Sequence, residues 1–451
     1  MHPHIKVLLL CSTLFWGLVP FSVLAVPSFA RQTGMDCAAC HTSFPELTPF
    51  GREFKLNGYT LGERQLSPLA AMMQFSVTSP ARNHDSTGAQ LTMRPNDPQF
   101  DMLSIFAAGK LTDYAGMFVQ WTYSNNSEQS ADGSIRHHSQ LDNTDLRVVG
   151  NHDLLGKSLV FGFNLNNNPT VQDVWNTTPA WGYPFNGPNL PHSNPAFATM
   201  IDGGLSQQVA GLGAYFWYDR HFYGELSFYG NANKFFRILS EGQPWSSNGV
   251  TRINGRNNPY WRLAWNQDWG SHSLMLGTYG MQVDIFPDPA NPQGPTNRYT
   301  DAAIDAQYQY LSDPNIVSVQ TTLIHEKQNY KASFDPACDP TVGACLNAHD
   351  QLNTFKAKVS YLYDRKYGTS FAYFNTQGSN DSVAFSTGNN SITKPDNQGY
   401  IVQMDYNPWT FARVSLQYTG YTKWDGSRQM DNLGLKPKDR NILFLSTWFA
   451  F

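Results

Sequence analysis

From about residue 69 to the last residue, apolar and polar side chains alternate with a period of two, the signature of strands with one apolar and one polar face. Ala71, Met73, Phe75 and Val77 alternate with Met72, Gln74, Ser76 and Thr78. Val317, Val319, Thr321 and Leu323 alternate with Ser318, Gln320 and Thr322, and Val402, Met404 and Tyr406 with Gln403 and Asp405. A wall between lipid and water requires this pattern. Short segments rich in Asp, Asn, Pro and Gly interrupt it at 112–114, 153–156, 219–221, 268–271, 312–315, 364–367 and 407–409, and these are the residue types that tight turns need. Longer polar stretches lie between them, near 80–99, 125–141, 167–205, 233–257, 285–299, 328–351, 378–397 and 423–438. Seven short turns and eight long loops predict sixteen antiparallel strands. The fold class is therefore all-β, an outer-membrane barrel with its short turns in the periplasm and its long loops outside. The longest loop, 167–205, is expected to fold into the lumen as a constriction. Leu443, Leu445, Thr447, Phe449 and Phe451 give the last strand an outward face that ends in a C-terminal Phe, resembling the signal read by barrel-assembly machinery.

Composition agrees with this reading. Charged residues make up only 15% and aromatic residues 14% of the 451, which suits a barrel that hides its apolar content in alternation. A formal net charge of −4 gives no electrostatic reason to expect nucleic acid as a partner. Residues 1–25 read as a signal peptide, with His2, His4 and Lys6 before an apolar run and Val23-Leu24-Ala25 as the cleavage site. Elsewhere no apolar run reaches the roughly 18 residues of a membrane-spanning helix.

The segment 26–66 breaks the alternation and carries the chemistry, leaving 67–451 as the porin-like barrel. Cys37-Ala38-Ala39-Cys40-His41 is the C-x-x-C-H pattern of c-type haem attachment. Two thiols at this spacing add to the two porphyrin vinyl groups, and the adjacent His41 places its imidazole on the iron as the proximal ligand. A redox C-x-x-C would need a βαβ context and half a zinc site would need a second Cys/His pair, and the sequence offers neither. The cofactor is thus one covalent haem c. Met72 is the candidate distal ligand, since the alternation turns it toward the lumen and Met/His ligation raises the potential of soluble cytochromes c. Within the segment, Glu46 to Leu56 reads as a helix broken by Pro49 and ended by Asn57-Gly58. In the barrel, Cys338 and Cys345 flank a Pro and a Gly and are expected to form a disulfide in an oxidising compartment.

A single haem motif joined directly to a porin-like barrel resembles the fused monohaem cytochrome–porin family of iron-oxidising bacteria. The resemblance is strongest over residues 27 to 61, in Pro27-Ser28-Phe29-Ala30-Arg31, Thr33-Gly34-Met35 with the haem motif, and the run from Pro49 to Tyr59. Over the barrel it is one of pattern and length. The resemblance implies an outer-membrane electron-transfer protein that oxidises extracellular Fe(II) and passes the electron to a periplasmic cytochrome or copper protein, an iron:cytochrome c oxidoreductase in type. The short tether between haem segment and first strand points the segment at the periplasmic mouth or lumen. Two other classes stay open: a haem-bearing conduit for another donor or acceptor, and a diffusion porin whose haem is structural or sensory. No nucleophile–base pair suggests an enzyme acting on an organic substrate.

Overall fold

A computed structural model describes residues 27–91, 95–129, 135–188, 195, 197–240, 251–386, 393–431 and 433–451. The proposed signal peptide, including Cys11, lies outside the described residues. Three short helices come first: α1 (Ser28–Thr33), α2 (Cys37–Cys40) and α3 (Pro49–Leu56). Sixteen strands follow. They begin with β1 (Leu69–Pro80), β2 (Pro98–Thr112), β3 (Ala115–Gln129), β4 (Ile135–Leu154) and β5 (Lys157–Asn166). Next come β6 (Val209–Tyr218), β7 (Phe222–Asn231), β8 (Asn258–Trp269), β9 (His272–Ile285), β10 (Asn297–Ser312) and β11 (Asn315–Asn329). The set ends with β12 (His349–Tyr363), β13 (Tyr367–Gly378), β14 (Asn397–Trp409), β15 (Ala412–Lys423) and β16 (Ile442–Ala450).

Each strand pairs antiparallel with its sequence neighbour, and β1 pairs with β16, so the sheet closes and leaves no edge. Phe451 completes the seam, exchanging backbone hydrogen bonds with Ala71 at 2.8 and 2.9 Å. The alternation behaves as the sequence predicts. In β11 every second residue from Ile316 to Gln328 is buried, and in β1 Met72, Gln74, Ser76 and Thr78 are buried while Phe75 is exposed. Outward-facing Phe163, Leu212, Leu263, Leu276, Ile304 and Leu445 are each more than 40% exposed. An apolar belt of this extent on a closed barrel is the surface a lipid bilayer covers. No helix among the described residues is long and apolar enough to cross a membrane, and a barrel crosses with strands.

Six of the seven short turns fall where the sequence put them; the seventh lies at Thr410-Phe411, because Asn407 to Trp409 still belong to β14, past an irregularity in its pairing with β15. Leu155-Gly156, Asp219-Arg220 and Asp364-Arg365 all adopt positive φ at both central residues, the mirror-image turn whose twist matches the strands it joins. One long loop is shorter than expected. The stretch 125–141 read as a polar loop because its residues are hydrophilic, yet β3 runs to Gln129 and β4 starts at Ile135. His137 and His138 accordingly lie in β4 rather than in a loop. Once a hairpin rises above the bilayer both its faces meet water, so pairing continues while the apolar alternation stops.

The fold makes a direct prediction. Leu323 lies near the middle of β11, faces outward and is 43% exposed. Leu323→Arg should destabilise the barrel in lipid vesicles by about 2–4 kcal/mol, measured by denaturant titration. The change should cost far less at Lys327, already charged and outward near the end of the same strand, when replaced by Arg.

Candidate functional site

The α1–α3 segment sits inside the barrel and is hydrogen-bonded to the wall around its circumference. Ser28 donates to the carbonyl of Ala108 on β2 and Arg31 to that of Leu69 on β1. Tyr215 on β6 donates to the carbonyl of Leu56 at 2.6 Å. Arg52 reaches Gln307 and Gln309 on β10 at 2.8 and 2.9 Å and Ser273 on β9 at 2.5 Å. Glu46 forms a buried ion pair with Lys358 on β12. Tyr59 donates to Asp145 at 2.7 Å, and Asp145 also pairs with Arg147 at 2.9 Å, all three fully enclosed. Burial lowers the Arg52 guanidinium to about 10 and the Lys55 ammonium to about 8, opposed in part by Asp268 and Asp145 respectively.

Of the longest loop, between β5 and β6, residues 167–188 and 197–208 fold into the lumen against this plug. Asp173 organises it, accepting backbone bonds from Trp175, Thr177 and Thr178 while pairing with Arg262 on β8 at 3.2 Å. Trp175 is completely buried, its Nε1 donating to Asn266 at 3.2 Å. Lys55 of α3 donates to the loop carbonyls of Val171 and Asp173 at 2.6 and 3.0 Å. Asn176 clasps the plug by accepting from the Leu47 amide and donating to the Pro45 carbonyl, at 3.1 and 3.3 Å.

Within the plug, local bonds fix the Cys-x-x-Cys-His turn. Cys37 to Cys40 form one helical turn, closed by the His41 amide bonding the Cys37 carbonyl at 2.9 Å. Helix α3 starts at Pro49 rather than running from Glu46, because Pro is favoured at a first helical position and Thr48 caps it. The Thr48 hydroxyl accepts from the Gly51 amide at 3.1 Å and donates to the Ala39 carbonyl at 2.6 Å, which clips α3 to α2. Gly51 allows the contact: a Cβ there would lie 2.2 Å from the Cys40 carbonyl oxygen. Asn57 ends the helix as expected.

Beside this turn lies a cavity of about 270 Å³, open on one side, between Cys37, His41 and Phe44 and the short β12–β13 and β14–β15 turns. It therefore sits at the short-turn rim. Trp409, Phe411 and Trp448 give it aromatic walls. The His41 imidazole is pushed down to about 4 by burial, against the nearby Glu46 and Pro45 carbonyls, and its Nδ1 is buried with no hydrogen-bond partner. Cys37 and Cys40 are both free and half-buried, and burial drives the Cys40 thiol up to about 11. Two adjacent unpaired thiols, an imidazole with an orphaned buried nitrogen and an aromatic cavity beside them fit a covalently held haem.

Met72 faces inward, 5% exposed, directly across from Ala450, which lines the same cavity. Met72 itself does not line it, and its sulfur takes a 3.7 Å bond from Gln74. Met72 thus points inward beside the cavity without entering it. His84 lies far along the chain's outer side, bridged to Gln90 in the β1–β2 loop. Cys338 and Cys345 are joined by a disulfide with Cα atoms 5.9 Å apart, in the β11–β12 loop. Sequence reasoning missed Arg365, Arg413 and Trp448 as cavity residues. A signal existed for Trp448: with Phe449 and Phe451 outward, the even positions of β16 point in.

No protein-family model matches the chain, and no curated protein matches it. Among solved structures, the chain is similar to OmpF of Salmonella typhi in complex with daunomycin, at 11% identity and TM-score 0.46, covering 85% of this chain and 97% of that one. It is also similar to the outer membrane channel DcaP of Acinetobacter baumannii (11%, TM-score 0.45, 85% and 96% covered). A third is the anion-selective porin from Comamonas acidovorans (12%, TM-score 0.43, 85% and 98% covered). At these identities and TM-scores the likeness carries nothing about what this chain binds or moves.

The interlock of plug and wall is testable. Lys358→Met leaves Glu46 buried without its cation, a loss of about 3–5 kcal/mol for breaking a buried pair. Residues 42–48 should then become accessible to protease in the folded barrel, while the double variant Lys358→Met/Glu46→Leu should recover most of the protection.

Proposed function

We propose that this chain is an outer-membrane electron-transfer protein that oxidises extracellular Fe(II) and delivers the electron to a periplasmic cytochrome or copper protein. The observation that carries this reading is the position of the Cys37–His41 turn, held by the plug at the short-turn rim of a membrane-spanning barrel. The resemblance of residues 27–61 to the haem segment of the fused cytochrome–porin family supports the donor.

In this reading Cys37 and Cys40 hold the haem through thioether bonds and His41 serves as its proximal iron ligand. A haem so bound supplies a one-electron couple. The protein's own residues do the rest. Glu46, Arg52, Lys55 and Tyr59 bind the plug to the wall and fix the height of the turn in the barrel. Residues 167–188 and 197–208 occupy the lumen beside the plug, so the donor's iron stays outside while one electron per Fe(II) passes inward and Fe(III) leaves. The cavity lies at the short-turn rim, the periplasmic side in this reading, where a soluble acceptor can approach.

Stopped-flow mixing of the detergent-solubilised oxidised protein with Fe(II) should produce reduced c-type absorption bands. An unchanged spectrum with excess Fe(II), from a protein that dithionite reduces readily, would remove iron as the donor and favour the reading as a conduit for another donor. Met72 is proposed as the distal ligand: Met72→Leu should lower the midpoint potential and change the ferric spectrum, and an unaltered spectrum would take Met72 out of the site. The plugged lumen predicts a small single-channel conductance in planar bilayers, whereas a diffusion porin would conduct at the level of an open barrel.

A further inference from the structure

The cavity beside His41 has a side that the haem reading leaves unexplained. Among its lining residues are three basic side chains, Arg365, Lys366 and Arg413, and one acidic one, Asp364. Arg413 at the start of β15 and Trp448 on β16 are directly opposed across the two strands, so both turn the same way, into the cavity. Trp448 Nε1 is buried and has no hydrogen-bond partner. A buried indole N–H without an acceptor costs free energy unless something supplies one. Arg413 is held in place on two sides, its Nε bonding Asp405 at 2.9 Å and its Nη1 the Phe44 carbonyl at 2.8 Å. Its Nη2 carries no partner among the described residues. Asp405 in turn accepts from Gln403 and Ser415, so its charge is already shared among several donors.

A fixed guanidinium next to an unsatisfied indole N–H is a carboxylate site, since both groups donate and neither accepts. The porphyrin brings carboxylates of its own. Its two vinyl groups lie on one edge of the macrocycle and its two propionates on the other. A ring attached at Cys37 and Cys40 therefore presents its propionate edge away from α2. Arg365 also lines the cavity, but it bonds the Ala38 carbonyl at 3.3 Å and so stands beside the attachment helix. Arg413 instead stands beside Phe44, beyond His41.

Resting on the reading of Cys37-Cys40-His41 as a haem site, we propose that Arg413 and Trp448 form a carboxylate-binding corner that takes a haem propionate and positions the ring against the β15–β16 wall. They act on the ring's edge and not on the iron, as positioning residues that also tune its potential. A cation at this edge favours the reduced form, which carries one positive charge fewer.

The test uses full-length protein carrying Trp448→Phe, Arg413→Gln or Arg413→Lys, compared with wild type for covalent haem content, midpoint potential and the resonance Raman propionate bending bands. Haem content should match wild type in all three, because attachment depends on Cys37 and Cys40. The propionate bands should move in Trp448→Phe and Arg413→Gln, the potential should fall in Arg413→Gln, and Arg413→Lys should recover part of it. Trp448→Phe keeps the aromatic packing, so it decides the matter even if Arg413→Gln fails to assemble. Haem-loaded variants with unmoved propionate bands would overturn this proposal alone. A wild-type chain without covalent haem would overturn the parent reading and this proposal with it.

Discussion

A closed barrel must put half of its wall side chains inside, and here many of those are polar or charged, set among apolar clusters such as Tyr229, Tyr260, Met281 and Ile324. A buried polar group without a partner is costly once the lumen is filled. The plug and the β5–β6 loop residues 167–188 provide partners for several of these groups. Arg147 and Asp145 on β4 are fully enclosed, and they are satisfied by each other, by Tyr59, and by the carbonyls of Lys55 and Gln172. Arg262 is likewise enclosed between Asp173 of the loop and Asp305 of the wall. Buried charges are costly when unpaired, so the wall holds the plug in one place and the plug lets the wall bury its charges. The position of the Cys37–His41 turn follows from that mutual requirement.

This arrangement explains why so small a segment can be rigid without a core of its own. Helices α1, α2 and α3 have six, four and eight residues, too few to fold alone. Their apolar contacts are the rings of Phe29, Phe54 and Tyr59, packed 5.0 to 5.9 Å apart, and Leu56, fully buried in a cluster with Val149, Val160 and Tyr215 of the wall. The rest of their fixation is polar and comes from the wall. Gly51 and Thr48 then couple α3, which is anchored most deeply, to α2, which carries the cysteines.

Much of this was legible in the sequence. Strand number, six of the seven short turns and the inward direction of Met72 follow from a period of two and from turn chemistry, both local properties. The motif Cys37-Ala38-Ala39-Cys40-His41 was legible for the same reason, since its chemistry is contained in five consecutive residues. What escaped was everything that closure brings together. Arg413 and Trp448 are 35 residues apart in the chain and meet only through the β15–β16 register. Lys358 and Glu46 pair across the lumen with no sequence trace. The hairpin of β3 and β4 was misjudged at 125–141 because alternation reports the bilayer and goes silent above it, where pairing goes on.

The central claim is that the turn at Cys37 to His41 carries a covalent haem at the short-turn rim of the barrel. Intact-mass measurement of the purified mature chain, coupled to peptide mapping, tests it most directly. The account predicts a mass increase of one haem, located on the peptide holding Cys37 and Cys40, and its loss in the Cys37→Ala/Cys40→Ala variant, which should still form the barrel. An unmodified mass with both thiols free to alkylation, in protein from cells that mature other c-type cytochromes, would contradict it.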